Sequence, residues 1–349
     1  MLAAFLIVAA GLHLGRPVLA PVLLAGFVAA VTAPLVLWLR ARRVPTALAV
    51  AAGLLVDALI IGAMTVVVGM AVAELAGRQA FYEQRFGELL EQTRAWLLAR
   101  GVELSADSLR TVLDPNTLLD FLGQGLQRVA ALLSQFVLVL FIVAFMLFEA
   151  TTLRSKIEVV IRDGDEMLAL RETAGELRGF LVVKFATSAT TAVLAGLLCW
   201  GLKVDLPLLW ALLAFLLNFI PTVGSIIAAI PPTLLALVLY GPGTALAVAG
   251  GYSIFNLVIG SFIEPRLMGR TLGLSPLVVF LSMLLWGYLL GVVGALLSPT
   301  LTMFVKAWME RTEDMRWAAV LMGPAPTDIP KDAEDTEDTA DQPAARSAD

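Results

Sequence analysis

Apolar residues are concentrated in eight blocks of this chain, most of them long enough to cross a lipid bilayer. The blocks are residues 2–14, 17–39, 46–73, 129–148, 181–202, 206–239, 244–263 and 272–304. A helix needs about 20 apolar residues to cross the roughly 30 Å hydrocarbon core. The first block is too short to cross alone. The pattern predicts an all-α, polytopic helical membrane protein with about eight transmembrane segments.

Two of these blocks are interrupted in the same way by proline and glycine. Residues 207–231 and 276–299 each begin and end with proline and contain glycine between, and their first prolines lie 69 residues apart. Proline removes a backbone donor and glycine weakens a helix, so in lipid such breaks persist only where the freed groups face protein, water or a ligand. Paired interruptions of this kind indicate a transporter binding site and an internal repeat. The sequence leaves open whether each segment spans or re-enters the membrane, and whether the two copies are inverted.

Two polar stretches separate the apolar blocks and predict the orientation. Residues 74–128 precede the fourth block and residues 149–180 follow it. The short loop with Arg40, Arg42 and Arg43 favours the cytoplasm by the positive-inside rule. This places 74–128 outside the cytoplasm as a helical layer, 149–180 inside as an amphipathic segment, and both termini inside. The predicted divisions are 1–73, 74–128, 129–148, 149–180, a membrane core at 181–316 and a disordered acidic tail at 317–349.

Composition supports this class and excludes others. Hydrophobic residues make up 59% of the chain and charged residues 15%, against about 25% charged in soluble domains. The net charge of −5 arises in residues 323–349, which hold eight acidic and two basic side chains. One cysteine, Cys199, and one histidine, His13, predict neither a disulfide nor a metal cluster. No nucleotide or dinucleotide motif occurs. We therefore expect no enzyme, no cofactor and no nucleic-acid partner.

The candidate solute or ion pathway lies at the two interruptions. Pro221 cannot donate to its helix, Gly224 permits close backbone approach, and Asn218, Thr222 and Ser225 add polar groups beside the freed carbonyls. A kinked helix whose polar groups satisfy one another is the alternative. The pathway residues that we predict are Asn218, Pro221, Thr222, Gly224, Ser225, Pro231, Asn256, Glu264, Pro265, Arg266, Gly287, Gly291, Gly294 and Pro299.

Ionisable residues within the apolar blocks are functional candidates, since charge is costly in lipid. Asp57, in the third block, is a candidate proton carrier; a water-filled crevice or a loop arginine is the alternative explanation, and the favoured one. Glu264 and Arg266 flank Pro265 at the end of the seventh block. They could form a gate, contact the solute, or anchor the chain at the membrane interface. Lys184 is interpreted as an anchor whose ammonium reaches the interface.

Four segments resemble the AI-2E family of bacterial membrane transporters, also called PerM-like permeases. They are IPTVGSIIAAIPP at 220–232, NLVIGSFIEPRLMGRTLGLSP at 256–276, GYLLGVVGALLSPTL at 287–301, and more weakly LAPVLLAGFVAAVTAPLVLWLRARRVPTALAV at 19–50. The resemblance implies an eight-span, oligomeric protein of the inner membrane. It also implies export of autoinducer-2 or sodium (lithium)/proton antiport. The family motif carries onto Pro221, Gly224, Pro231, Pro265, Gly291, Gly294 and Pro299.

Three hypotheses for function follow. The first is an inner-membrane permease that exports a small polar solute such as a quorum-sensing signal. The second is a sodium (lithium)/proton antiporter that uses Asp57 or Glu264, and the third is a membrane scaffold without transport. The expected partners are a small polar solute or monovalent cation, the lipid bilayer and further copies of the chain.

Overall fold

The computed structural model is predominantly helical over the residues that it describes. These are residues 2–100, 123–125, 127, 130, 136–160, 164–220, 223–268 and 273–323, and no strand occurs among them. The helices are α1 Leu2–Leu14, α2 Arg16–Ala41, α3 Thr46–Gly77, α4 Gln79–Leu98, α5 Phe136–Val160, α6 Gly164–Gly201, α7 Pro207–Leu217, α8 Val223–Tyr240, α9 Pro242–Phe255, α10 Glu264–Met268, α11 Pro276–Leu290, α12 Val292–Glu310 and α13 Arg316–Leu321. A π-helical segment, Asn256–Ile263, joins α9 to α10, and a 3₁₀ turn, Glu313–Met315, precedes α13.

Six helical segments of the described chain are long and apolar enough to cross a membrane. They are Arg16–Ala41, Thr46–Gly77, Arg178–Gly201, Val223–Tyr240, Pro242–Ile263 and Val292–Glu310, with shorter apolar helices at Phe136–Thr152, Pro207–Leu217 and Pro276–Leu290. Large apolar side chains such as Leu59, Met70 and Phe141 are exposed on their outer faces. An outward apolar surface on helices of this length is what a lipid environment requires. The prediction of a polytopic helical membrane protein is confirmed.

Helices α2, α3 and α5 pack into one bundle. Val36, Val50, Val143 and Leu147 are fully or almost fully buried at its centre. A Cβ atom at Gly53 would lie 2.9 Å from Val36 Cγ2, so glycine is what allows α3 to approach α2 this closely. The bundle is therefore held by small-residue packing, as is common between helices in lipid.

The first interrupted block folds back on itself as a helical hairpin, α7–α8. Its two outer ends lie together, because the Tyr240 hydroxyl donates to the carbonyl oxygen of Lys203 at 2.8 Å. The connector into α7 turns tightly, with Lys203 and Leu206 in the left-handed conformation at φ 59° and 63°. The block predicted at 206–239 thus enters and leaves at one end of the molecule, which we call the Asp205 end.

The Asp205 end also holds the junction of α3 with α4. Arg78 donates to Asp205 Oδ2 at 2.7 Å, and the Tyr82 hydroxyl donates to the same oxygen at 2.9 Å. Burial raises the pKa of Tyr82, and the negative charge of Asp205 raises it further. This contact fastens α4 to the connector that leads into the first hairpin. Arg40 and the loop between α2 and α3 lie at the other end of α3, which we call the Arg40 end.

The second interrupted block forms a hairpin that enters from the Arg40 end. Gly291 separates α11 from α12 with φ 69° and ψ −149°, a conformation that favours glycine. The guanidinium of Arg16 packs against Gly291 at this turn. Arg16 is the first residue of α2, whose last turn lies at the Arg40 end, so the turn of the second hairpin lies toward the Asp205 end. The open end of the hairpin is closed by Lys306, whose Nζ lies beside Gly273, and by the bond from Ser275 N–H to Met322 O at 2.9 Å.

The molecule therefore contains two units of the same kind in opposite senses. In the first, α6 runs to the Asp205 end and the α7–α8 hairpin follows; in the second, α9 runs away from that end and the α11–α12 hairpin follows. Of the alternatives that the sequence leaves open, the structure shows hairpins rather than single spans, and inverted rather than parallel copies.

The short first helix, α1, is not an independent membrane crossing. Helical hydrogen bonds continue across Gly15, from Gly15 N–H to Gly11 O and from Leu19 N–H to Gly15 O. Helix α1 therefore continues into α2 without a loop between them.

Candidate functional site

Helix α6 carries a stripe of buried polar side chains along one face. Lys184, Thr187, Ser188 and Thr191 are spaced at i, i+3, i+4 and i+7, and each is at most 6% exposed. Residues at this spacing lie above one another on a helix. Thr190, one position off the stripe, is exposed and donates only to Ala186 O of its own helix. The stripe is therefore a polar seam inside an otherwise apolar core.

The stripe faces the tip of the first hairpin. The Asn218 carboxamide Nδ2 donates to Ser188 Oγ at 3.0 Å, just before α7 turns into α8. Across the same tip, Ser225 Oγ donates to Asn256 Oδ1 at 2.8 Å. The hairpin tip is thus tied by side chains to α6 on one side and to the π-helical segment on the other.

A buried ion pair completes this polar cluster. Lys184 Nζ lies 2.7 Å from Glu264 Oε1, and the Thr187 hydroxyl lies 3.4 Å from Glu264 Oε2. Lys184 is 5% exposed, so its interpretation as an anchor reaching the interface is wrong. Lys184 and Glu264 carry opposite formal charges and are the charged members of the cluster among the described residues, so its formal net charge is zero.

The geometry of the tip depends on Gly224. A Cβ atom at this position would overlap the carbonyl oxygen of Leu217, seven residues earlier. Gly294 has the equivalent role in the second hairpin, where a Cβ atom would overlap the carbonyl oxygen of Trp286. Both hairpins therefore need a glycine at the start of the returning arm, since a side chain would force the arms apart.

The π-helical segment Asn256–Ile263 positions two of the cluster residues. The Glu264 N–H donates to Ile259 O, five residues earlier, and the next residue, Pro265, has no N–H to donate. A π-helical turn shifts the register of the side chains that follow it, and such turns are frequent at functional sites. Here the segment begins at Asn256, and the residue that follows its end, Glu264, lies next to Lys184.

A groove of about 320 Å³ opens beside the Ser225–Asn256 bond, between α8 and α9. Its polar lining groups are the side chains of Ser225, Thr233, Tyr252, Ser253 and Asn256. Thr233 Oγ1 is buried and has no hydrogen-bond partner in the described structure. A volume near 300 Å³ with a few hydroxyl and amide groups suits a small ligand.

The remaining predicted site residues are distributed as follows. Pro221 and Thr222 lie outside the described residues. Pro231 is inside α8, and Arg266 is exposed on α10. Gly287 faces Ala295 within the second hairpin, and Pro299 is buried in α12. The structure thus brings Asn218, Gly224, Ser225, Asn256 and Glu264 into one cluster and places Gly287, Gly291, Gly294 and Pro299 in the other hairpin.

Asp57 lies apart from this cluster, on α3. It is 6% exposed, and its Oδ1 accepts a hydrogen bond from Thr32 Oγ1 at 2.7 Å. No arginine of the described chain pairs with it, so the loop-arginine explanation is not supported. The structure adds Lys184, Thr187, Ser188 and Thr32 to the candidate site residues. The first three were detectable in the sequence as a polar i, i+3, i+4 pattern inside an apolar block.

Comparisons with known proteins indicate the family of this chain. The chain is 37% identical over 323 residues to the AI-2 transport protein TqsA of Escherichia coli (strain K12), covering 92% of this chain and 94% of that protein. It is 35% identical over 331 residues to a putative transport protein of Haemophilus influenzae, covering 92% and 94%. A sodium-lithium/proton antiporter of Halobacillus andaensis is 30% identical over 125 residues, 35% of either chain. A family model described as AI-2E family transporter matches residues 2–314, and the chain belongs to this family of membrane transporters.

Proposed function

We propose that this transporter is a secondary permease of the bacterial inner membrane that exports a small polar solute of the autoinducer-2 kind. The observation that carries the proposal is the polar cluster at the tip of the first hairpin, beside the groove between α8 and α9. The name of the Escherichia coli relative, an AI-2 transport protein, supports this solute class.

The chemistry of the cluster favours a neutral, hydrogen-bonding solute. Lys184 and Glu264 neutralise each other, which leaves amides and hydroxyls as the groups that a ligand meets. Ser225 and Asn256 supply both donor and acceptor atoms beside the groove, as a polyhydroxyl compound requires. An isolated cation would find no uncompensated negative charge there.

The two inverted units supply the means of movement. Discontinuous helices in inverted repeats are the elements that rock or slide in secondary transporters while the solute stays bound near the membrane centre. The hairpins α7–α8 and α11–α12 enter from opposite ends, so each is suited to open toward one side of the membrane. Basic residues gather at the Arg40 end, in the loop after α2, and this supports a cytoplasmic position for that end. The homo-oligomer remains a prediction.

Sodium (lithium)/proton antiport is the second candidate. Its support is the buried carboxylate of Asp57, together with the name of the Halobacillus andaensis relative. That relative aligns with only 35% of this chain, whereas the Escherichia coli relative aligns with 92%. Export of a polar solute is therefore the better-supported proposal.

A flux assay in proteoliposomes tests the proposal. The full-length chain is reconstituted, and efflux of labelled autoinducer-2 is compared for the wild type, Ser225→Ala, Asn256→Ala and the control Thr190→Ala. We expect efflux by the wild type and the control, and a loss of tenfold or more, about 1.4 kcal/mol, in the two cluster variants.

The alternatives give different outcomes in the same vesicles. Sodium- or lithium-driven pH changes without autoinducer-2 efflux would replace export by antiport. A wild type that moves neither solute nor cation, while Gly224→Ala cells keep their phenotype, would support the scaffold hypothesis instead.

A further inference from the structure

Asp57 has an unused oxygen within the membrane-spanning part of the molecule. Its Oδ1 accepts from Thr32 Oγ1 at 2.7 Å, while its Oδ2 is buried and has no hydrogen-bond partner in the described structure. A buried carboxylate oxygen without a partner is costly, because neither water nor a donor replaces its hydration. Ionisable residues at such positions in transporters are usually functional.

The carboxylate borders a cavity of about 160 Å³ that is lined in part by residues of both hairpins. Its walls come from α2, α3, α5, α6, the tip of the first hairpin and the returning arm of the second. The apolar lining includes Phe27, Phe185, Phe215, Phe219, Leu296 and Leu297. Among the described residues that line it, Thr32 and Asp57 are the polar ones, and the described lining residues of α2, α5, α6, α7 and α12 include no titratable or charged side chain. The ion pair Lys184–Glu264 is satisfied within the separate cluster.

We propose that Asp57 is a proton-binding site whose occupancy is coupled to the movement of the two hairpins. One proton from water binds Oδ2, forms an O–H bond and neutralises one negative charge; its release restores the carboxylate. A proton needs only one oxygen. A metal cation would need several oxygen ligands, and beyond Asp57 the one polar side chain among the described lining residues is that of Thr32.

The coupling follows from the composition of the cavity wall. Phe219 belongs to the first hairpin and Leu297 to the second, and both line the space that Asp57 borders. Movement of either hairpin relative to α3 changes how far this space is closed, and closure disfavours the charged form. Coupling rests on the proposed transport function, whereas proton binding does not.

Infrared difference spectroscopy tests proton binding directly. The full-length protein in lipid nanodiscs is taken through a pH step, and the carbonyl stretch of a protonated carboxylic acid is followed, with its isotope shift in D₂O. We expect this band in the wild type, its loss in Asp57→Asn, and a shifted frequency in Thr32→Val, which keeps the carboxyl group but removes its donor. Asp205→Asn, a change at a carboxylate outside both the cavity and the polar cluster, is the matched control and retains the band.

Three results would overturn the proposal. The first is a band that persists in Asp57→Asn, and the second is a wild type without a titrating band. The third is a band that sodium removes at constant pH, which would show that a metal cation competes for the carboxylate and would overturn its selectivity for the proton. If Asp57→Asn fails to fold, the Thr32→Val variant still tests the assignment, because it keeps the Asp57 carboxyl group and should shift the frequency of its band.

Flux measurements then separate the two proposals. In proteoliposomes, autoinducer-2 efflux by the wild type should follow an imposed pH gradient, and efflux by Asp57→Asn should lose that dependence. Unchanged pH dependence in Asp57→Asn overturns the coupling. A wild type that moves no solute overturns the proposed function, while the infrared band still decides the proton site.

Discussion

The Lys184–Glu264 ion pair, at the scale of single residues, connects the two inverted units. Lys184 belongs to α6 and Glu264 follows the π-helical segment, and their side chains are 7% and 16% exposed. Removing one partner of a buried pair leaves the other charge uncompensated, at a cost of about 3 kcal/mol. We predict this loss of stability, and loss of solute efflux, in Lys184→Met and in Glu264→Gln, measured by thermal unfolding in detergent and by the flux assay.

The double variant Lys184→Met, Glu264→Gln provides the control. Removing both charges leaves no buried ion without a partner, so its stability should exceed that of Lys184→Met. Strict additivity of the two single losses would contradict a direct pairing.

Tyr82 gives a second residue-scale prediction, through pH. Burial and the charge of Asp205 raise its pKa in the folded protein, so its contribution to stability is complete below about pH 10 and is lost as pH rises from there. Tyr82→Phe removes a hydrogen bond to a carboxylate and should cost about 2 kcal/mol at neutral pH.

Phenylalanine does not titrate, so the stability difference between Tyr82→Phe and the wild type should shrink as pH rises above 10. Melting temperatures of the two proteins across an alkaline series measure this difference. The other tyrosines are common to both proteins and cancel in the comparison. A difference that stays constant would contradict the role assigned to the Tyr82 hydroxyl.

The sequence allows most residues of the polar cluster to be predicted, but not the side chains with which they form hydrogen bonds or ion pairs. Asn218, Ser225, Asn256 and Glu264 stand out as polar residues in apolar blocks. Their pairing with Ser188 and Lys184 depends on the packing of the hairpin tip against α6, which no local pattern specifies. The incorrect interpretation of Lys184 has the same cause, because an interfacial anchor and a buried ion near the end of an apolar block have the same sequence pattern.

At the scale of elements, the two helical hairpins need glycine at Gly224 and Gly294 but not at Gly287. A Cβ atom at Gly224 or Gly294 would overlap a backbone carbonyl oxygen of the preceding arm, which cannot move without opening the turn. At Gly287 a Cβ atom would lie 3.5 Å from Ala295 Cβ, an ordinary contact. The three positions therefore form a matched set for alanine substitution.

We predict that Gly224→Ala and Gly294→Ala each lose efflux and at least about 2 kcal/mol of stability, as overpacking against rigid backbone requires. Gly287→Ala should stay within about 0.5 kcal/mol of the wild type and keep its efflux. Thermal unfolding and flux on the same preparations measure both. Equal behaviour of all three variants would show that the hairpin turns do not need glycine.

The existence of the interrupted helices was predictable, but their course was not. Proline and glycine mark the breaks, and the repeat offset follows from Pro207 and Pro276. Whether a broken helix continues or reverses is decided by contacts outside it, such as that of Tyr240 with Lys203. In a hydropathy profile, residues 206–239 form one apolar block, because both arms of the hairpin lie in the same apolar environment.

At the scale of the whole molecule, the two ends are chemically distinct. The Asp205 end holds the Arg78–Tyr82–Asp205 contact and the open end of the first hairpin. The Arg40 end holds the basic loop after α2, and the second hairpin opens toward it. If the positive-inside rule applies, the first hairpin opens outward and the second toward the cytoplasm.

Site-directed labelling tests this orientation. The sole cysteine, Cys199, is buried, so Cys199→Ala supplies a cysteine-free background. Single cysteines are then placed at Lys203, on the connector before the first hairpin, and at Arg42, in the basic loop. In intact cells a membrane-impermeant maleimide should label Lys203→Cys but not Arg42→Cys, and permeabilised cells should label both.

The opposite pattern would invert the molecule and with it the side on which each hairpin opens. Export would then require the second hairpin, with its Gly291 turn against Arg16, to release solute outward. The inverted architecture itself would survive that result, because it rests on contacts within the chain and not on the membrane side. Labelling of both positions in intact cells would instead contradict the placement of Lys203 and Arg42 at opposite ends of α3.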